Sequence, residues 1–135
     1  MPDRCKILIV DDDEDSRRLL CEVLDANGYA TDSAENGAAA REAIGRDSSY
    51  RVIVADLRMP KETGLELLRT LRRQNSGHEI VLMSSFISGK DREVAEELGV
   101  RVLLEKPFRL AEFLQVVGEL AGKNPAGLAS TTGVT

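Results

Sequence analysis

KILIVDDD, residues 6–13, is a short apolar run that ends abruptly on three carboxylates. An uninterrupted apolar run of this length suits a strand covered on both faces, as in a parallel sheet. The pattern returns three times. Val52-Ile53-Val54-Ala55 stops at Asp56, Ile80-Val81-Leu82-Met83 stops at Ser84-Ser85, and Val100 to Leu104 stops at Glu105-Lys106-Pro107. Carboxylates, a hydroxyl and an ammonium therefore stand where buried strands would emerge. In an open α/β sheet those ends share one edge, and ligands bind there. Carboxylates set side by side repel, so the cluster calls for a cation, a raised pKa or both.

Working outward, strands are expected at about 5–10, 30–34, 51–55, 79–84 and 101–104. The second, Ala30 to Ala34, is polar and suits a sheet edge. Helical patterns fill the gaps. Residues 15–27 put Leu19, Leu20, Val23 and Leu24 on one stripe, and Asn27-Gly28 ends the helix. Residues 37–46 are alanine-rich behind an Asn36 cap. Residues 64–74 repeat Leu65, Leu68 and Leu71, with Thr63 and Glu66 spaced as a capping box. Residues 89–98 and 109–121 complete the set, the last carrying Leu110, Phe113, Leu114, Val117 and Leu120. Strict alternation of strand and helix implies βαβ units. Right-handed crossovers then put helices on both faces.

Composition narrows the function. A chain of 135 residues, 42% hydrophobic, fits one domain. At this size roughly two-thirds of the unfolded chain's surface can be hidden. A net charge of -5 argues against nucleic acid as a partner of this domain. The pairs Arg17-Arg18 and Arg72-Arg73 sit among acids and read as solvated helix faces. No apolar stretch nears the roughly 18 residues of a membrane span, and the N-terminus lacks a signal peptide's apolar core. Cys5, opening a strand, and Cys21, in a helix, have no metal spacing and suit a reducing cytoplasm. The single histidine, His78, sits in a Ser-Gly-His turn where no catalytic role is expected. Residues 122–135, GKNPAGLASTTGVT, read as a flexible tail or the start of a linker.

Each polar strand end has a plain structural reading. Asp11, Asp12 and Asp13 could be an acid-rich helix start, which the macrodipole favours. That suits Asp13, Glu14 and Asp15 better than Asp11 and Asp12, which follow the strand directly. Asp56 could be a loop residue, Ser84 a strand-end hydroxyl, and Lys106 a surface lysine before a turn proline whose X–Pro bond can be cis. Two acidic strand ends together become a Mg²⁺ site candidate, because Mg²⁺ takes hard oxygens from carboxylates, waters and phosphates. All four ends together make a phosphorylation device. Asp56 can act as a carboxylate nucleophile. Mg²⁺ and Lys106 would neutralise phosphoryl oxygens, and Ser84 would donate to another.

The segments KILIVDDDEDSRRLL, VIVADLRMP with Gly64 beyond it, IVLMSSF and LLEKPF together resemble the receiver domain of two-component response regulators. The resemblance covers residues 6 to about 121 and is similar to the chemotaxis-type single-domain regulators. It implies a flavodoxin-like doubly wound fold, a five-stranded parallel sheet in order 2-1-3-4-5 with five helices. The receiver would occupy 1–121. Asp56 would be the phosphoacceptor, Asp11 and Asp12 would hold Mg²⁺ with Asp12 the more direct ligand, and the Arg58 backbone carbonyl would add another. Ser84 would be the switch hydroxyl and Lys106 the phosphate-binding lysine. The donor would be a sensor histidine kinase, a phosphotransfer protein or a small acyl phosphate. An unknown downstream protein would bind the face of the fourth helix, fifth strand and fifth helix. The resemblance also implies a switch and not an enzyme, cytoplasmic and off the membrane, acting as a monomer or as a phosphorylation-dependent dimer.

Two positions depart from the family's common pattern. Leu103 stands where many members carry a switching Tyr or Phe, and Ser85 where a small Ala is common. Arg58, two residues past Asp56, is long and cationic, and with Ser85 it predicts an altered phosphate lifetime. Three other readings stay open. One is a receiver fragment of a hybrid kinase or DNA-binding regulator. Another is a Mg²⁺-dependent phosphatase with an Asp nucleophile, against which Arg58 counts, since those enzymes place a second acid at that position. The last is a receiver-shaped scaffold that never accepts phosphate, against which the complete acid, hydroxyl and lysine set counts.

Overall fold

A computed structural model describes residues 5–74 and 77–122. The five strands are β1 Lys6–Val10, β2 Ala30–Ala34, β3 Tyr50–Asp56, β4 Glu79–Ser84 and β5 Val102–Glu105. All pair in parallel, in the order β2-β1-β3-β4-β5. The helices are α1 Glu14–Ala26, α2 Gly37–Arg46, α3 Gly64–Arg73, α4 Gly89–Glu97 and α5 Leu110–Leu120. This is the flavodoxin-like, doubly wound order that the sequence resemblance implied.

Alternation along the central strands builds two cores. Ile7 and Ile9 of β1 pack with Leu20 and Leu24 of α1 and with Phe113 and Val117 of α5. Leu8 and Val10 point the other way, onto Ala40 and Ile44 of α2, Leu67, Leu68 and Leu71 of α3, and Ala95 of α4. Such double coverage needs runs without polar breaks, which is why β1, β3 and β4 read as continuous apolar segments. Burying each large side chain stabilises the fold by about 1.5–3 kcal/mol.

The helix starts follow the side-chain chemistry. Asp13 caps α1, accepting from the Asp15 amide at 3.3 Å, and Asn36 caps α2, accepting from the Ala39 amide at 2.8 Å. Thr63 and Glu66 form the expected capping box on α3. A second box, Ser88 with Asp91, starts α4. At the end of α1, Gly28 takes a φ of 93°, where a side chain would be strained.

Some readings need correction. Several element ends move by a residue or so, since hydrogen bonding, not hydropathy, sets them: β1 starts after Cys5, β3 runs on through Asp56, and β5 is shifted to include Glu105. Leu19 is 48% exposed, because only Leu20 and Leu24, one turn apart, face the sheet squarely. On α3 the buried set is Leu67, Leu68 and Leu71, with Leu65 half-buried. The tail or linker reading of 122–135 falls, beyond Gly122, outside the described residues.

Candidate functional site

Topology delivers the four polar strand ends to one edge. Val10 pairs with Ala55 across β1 and β3, so Asp11 and Asp56 emerge side by side. Asp56 pairs with Met83, and Ser84 with Glu105. The Lys106 amide then donates to the Ser84 carbonyl at 2.8 Å. The crevice lies where β2 and β3 depart to opposite sides of β1, the switch point at which doubly wound sheets bind ligands.

Among the described residues, the buried polar side chains are Asp11, Asp56 and Ser84. Burying polar groups costs free energy unless partners compensate. Concentrating all three at one edge marks that edge as a site. Lys106 Nζ donates to Asp56 Oδ2 at 2.9 Å and lies 3.5 Å from Asp11 Oδ2. Asp56 Oδ1 accepts from the Arg58 amide at 2.9 Å, and Asp11 Oδ1 from the Asp13 amide at 2.9 Å. The Ser84 hydroxyl donates to the Phe86 carbonyl at 2.9 Å. The Lys106–Pro107 peptide is cis.

Electrostatics follow the geometry. Burial pushes the Asp11 carboxyl above its ordinary range, against the pull of the Asp13 amide and Lys106. Burial also works against the Lys106 ammonium, but its hydrogen bond to Asp56 and the charges of Asp56 and Asp11 outweigh this and hold its pKa up. One ammonium thus faces two buried carboxylates.

Asp11, Asp12 and Asp56 offer carboxylate oxygens that all lie within 4.8 Å of one another, with Asp12 exposed and the other two buried. Three hard oxygens converging from two strand ends, one side open to water, fit Mg²⁺, which keeps several waters. Arg58, whose backbone carbonyl is the remaining expected ligand, lies in the turn directly after Asp56. Leu103 lies on β5, half-buried against the α2–α4 core. His78 precedes β4, at the opposite edge of the sheet, with Nδ1 2.5 Å from the Tyr50 carbonyl oxygen.

Three arginines do more than the sequence reading allowed. Arg17 donates to the Asp11 carbonyl at 2.7 Å, tying α1 to the site. Arg72 Nε donates to the Leu98 carbonyl at 2.8 Å, so it joins α3 to the end of α4. The solvated-face reading therefore fails for Arg17 and Arg72, because a long side chain can satisfy carbonyls that strands and helices leave free. Arg18 is exposed, in reach of Glu14. Arg58 Nη2 meets Asp91 Oδ2 at 2.7 Å. The Ser88-Gly89-Lys90-Asp91 spacing was the one sequence signal that could have marked Asp91.

Comparisons with known proteins agree on one family. A family model described as the response regulator receiver domain matches residues 7–118. The response regulator MprA of Mycobacterium leprae is 36% identical over 109 residues, covering 81% of this chain and 47% of that protein. The sensor protein EvgS of Escherichia coli is 34% identical over 110 residues, 82% of this chain but 9% of that protein. The chain thus spans half or less of the curated relatives quoted. Among solved structures, the chemotaxis protein CheY4 of Vibrio cholerae superposes with a TM-score of 0.82 at 25% identity, covering 87% of this chain and 99% of that one. The N-terminal domain of a Wolinella succinogenes protein gives 0.81 at 30% identity, covering 88% and 95%.

Proposed function

This chain belongs to the response regulator receiver domain family, and we propose that within it Asp56 accepts a phosphoryl group and thereby switches what the domain binds. The observation that carries this reading is the buried Asp56 carboxylate, held 2.9 Å from Lys106 and grouped with Asp11 and Asp12. One Asp56 oxygen attacks phosphorus, forming a P–O bond. The bond to the donor breaks, and its electron pair leaves with the imidazole nitrogen of a phosphohistidine or the carboxylate oxygen of an acyl phosphate. Bound Mg²⁺ would supply charge neutralisation for the transferring oxygens. Asp12, Asp56 and the Arg58 carbonyl would hold it, with Asp11 behind them.

Lys106 serves both states. It holds the Asp56 carboxylate before transfer and follows the phosphoryl oxygen after it, as a compact charge on a flexible stem can. Ser84 must give up the Phe86 carbonyl to donate to the new oxygen. That single exchange moves the β4–α4 turn. The receiver occupies residues 1–121 and acts as a switch, not as a catalyst of metabolite turnover. It works in the cytoplasm, as a monomer or a phosphorylation-dependent dimer. Among the described residues no helix is long and apolar enough to cross a membrane.

The donor is a sensor histidine kinase or a phosphotransfer protein, and a downstream protein reads the α4-β5-α5 face. The likeness to part of a sensor protein and to part of a longer response regulator favours a second reading, in which this receiver serves inside a larger chain. Incubation with Mg²⁺ and an acyl phosphate should add one phosphoryl group by intact mass, and Asp56→Asn should abolish it. Unchanged uptake by Asp56→Asn would place the acceptor elsewhere.

A further inference from the structure

The best candidate outside the phosphorylation chemistry is the pair that links the acceptor turn to α4. Arg58 is fixed at one end, because its amide donates to Asp56 Oδ1 at 2.9 Å. At the other end its guanidinium donates to Asp91 Oδ2 at 2.7 Å. Asp91 is the third residue of α4 and part of its start. Its carboxylate accepts from the Ser88 amide at 3.0 Å, and its own amide donates to Ser88 Oγ at 3.0 Å. One residue therefore touches both the acceptor carboxylate and the N-terminal cap of a helix.

We propose that Arg58 carries the signal from Asp56 to α4, by exchanging the Asp91 carboxylate for an oxygen of the phosphoryl group. The inference rests on Asp56 being the acceptor and adds the route out of the site. Three observations support it. The pair is open on its Arg58 side, where the side chain is 52% exposed against 13% for Asp91, so water competes for the guanidinium and weakens its hold. The competitor is stronger: a phosphoryl group brings more negative charge and several acceptor oxygens, which suit a planar guanidinium better than one carboxylate oxygen does. The receiving element is lightly held, for α4 buries only Ala95 among its residues. A helix with so little buried apolar surface responds to small changes at its cap. Leu103 on β5 cannot supply a ring that swings, so an ionic route through Arg58 provides coupling that does not need one.

The test is hydrogen exchange of the α4 amides, with and without Mg²⁺ and beryllium fluoride as a phosphoryl mimic. Binding of the mimic is followed separately by fluorine NMR. In the native chain the mimic should speed exchange in the first turn of α4 by about two- to fivefold, the factor that an exposed ion pair of this kind carries. In Arg58→Gln, exchange should already be raised without the mimic and should not rise further. Asp91→Asn, which keeps an oxygen for the Ser88 amide, should behave the same way. An undiminished rise in both variants overturns the route through Arg58 while leaving the acceptor intact. A bound mimic with no rise in the native chain does the same. If the native chain binds no mimic at all, the acceptor reading fails and the inference falls with it.

Discussion

Asp91 shows how one residue's surroundings set a measurable pH dependence. Burial works to raise its pKa, but the Ser88 amide and hydroxyl and the Arg58 charge outweigh it, so the net shift is downward. A carboxylate depressed by folding stabilises the fold above its unfolded pKa of about 3.9, and that contribution fades as pH falls through the folded value. Denaturant unfolding of the native chain and Asp91→Asn should therefore differ by a constant amount near neutrality, and the gap should close below about pH 4. A gap independent of pH would mean that the Asp91 charge plays no part. At this scale the sequence was informative where a polar residue directly followed an apolar run, as at Asp11, Asp56, Ser84 and Lys106. It did not reveal the partners of Arg17, Arg58 and Arg72, since the partner of a long side chain depends on which elements become neighbours.

Among the elements, α3 is the one that most directly supports the acceptor. Its cap, Thr63 with Glu66, was legible as a spacing, because capping chemistry is local. Thr63→Ala should lower the unfolding free energy by about 1 kcal/mol. Gly64 is under tighter constraint. A Cβ there would lie 2.7 Å from the Asp56 carbonyl oxygen and 3.1 Å from Leu57 Cα, and neither backbone atom can move aside cheaply. Gly64→Ala should cost about 1–3 kcal/mol in denaturant unfolding, as overpacking does. It should also slow acyl phosphate uptake, since relief of the clash displaces the strand end that carries Asp56. Stability and uptake both equal to the native chain's would contradict that packing. Leu19 was misread at this scale because a helix stripe defined by hydropathy alone is wider than the face that meets a sheet.

For the whole molecule, the alternation of strands and helices gave the layers, but not by itself the strand order. Order 2-1-3-4-5 came with the family resemblance, and the paired registers now account for why four distant segments share one edge. Both cores lean on the same sheet, so a cavity on either face should be felt throughout. Phe113 is fully buried and touches the α1–α5 core. Phe113→Ala should cost about 3–5 kcal/mol, and unfolding should remain a single transition by circular dichroism and fluorescence alike. Separate transitions would show that the two layers are independent.

The most direct measurement is a crystal structure grown with Mg²⁺ and beryllium fluoride. The expected result is a beryllium centre bonded to an Asp56 oxygen, a metal held by Asp12, Asp56 and the Arg58 carbonyl, and Lys106 Nζ against a fluoride. Density for the mimic elsewhere, or Asp12, Asp56 and Lys106 turned away from one another around an empty edge, would contradict it.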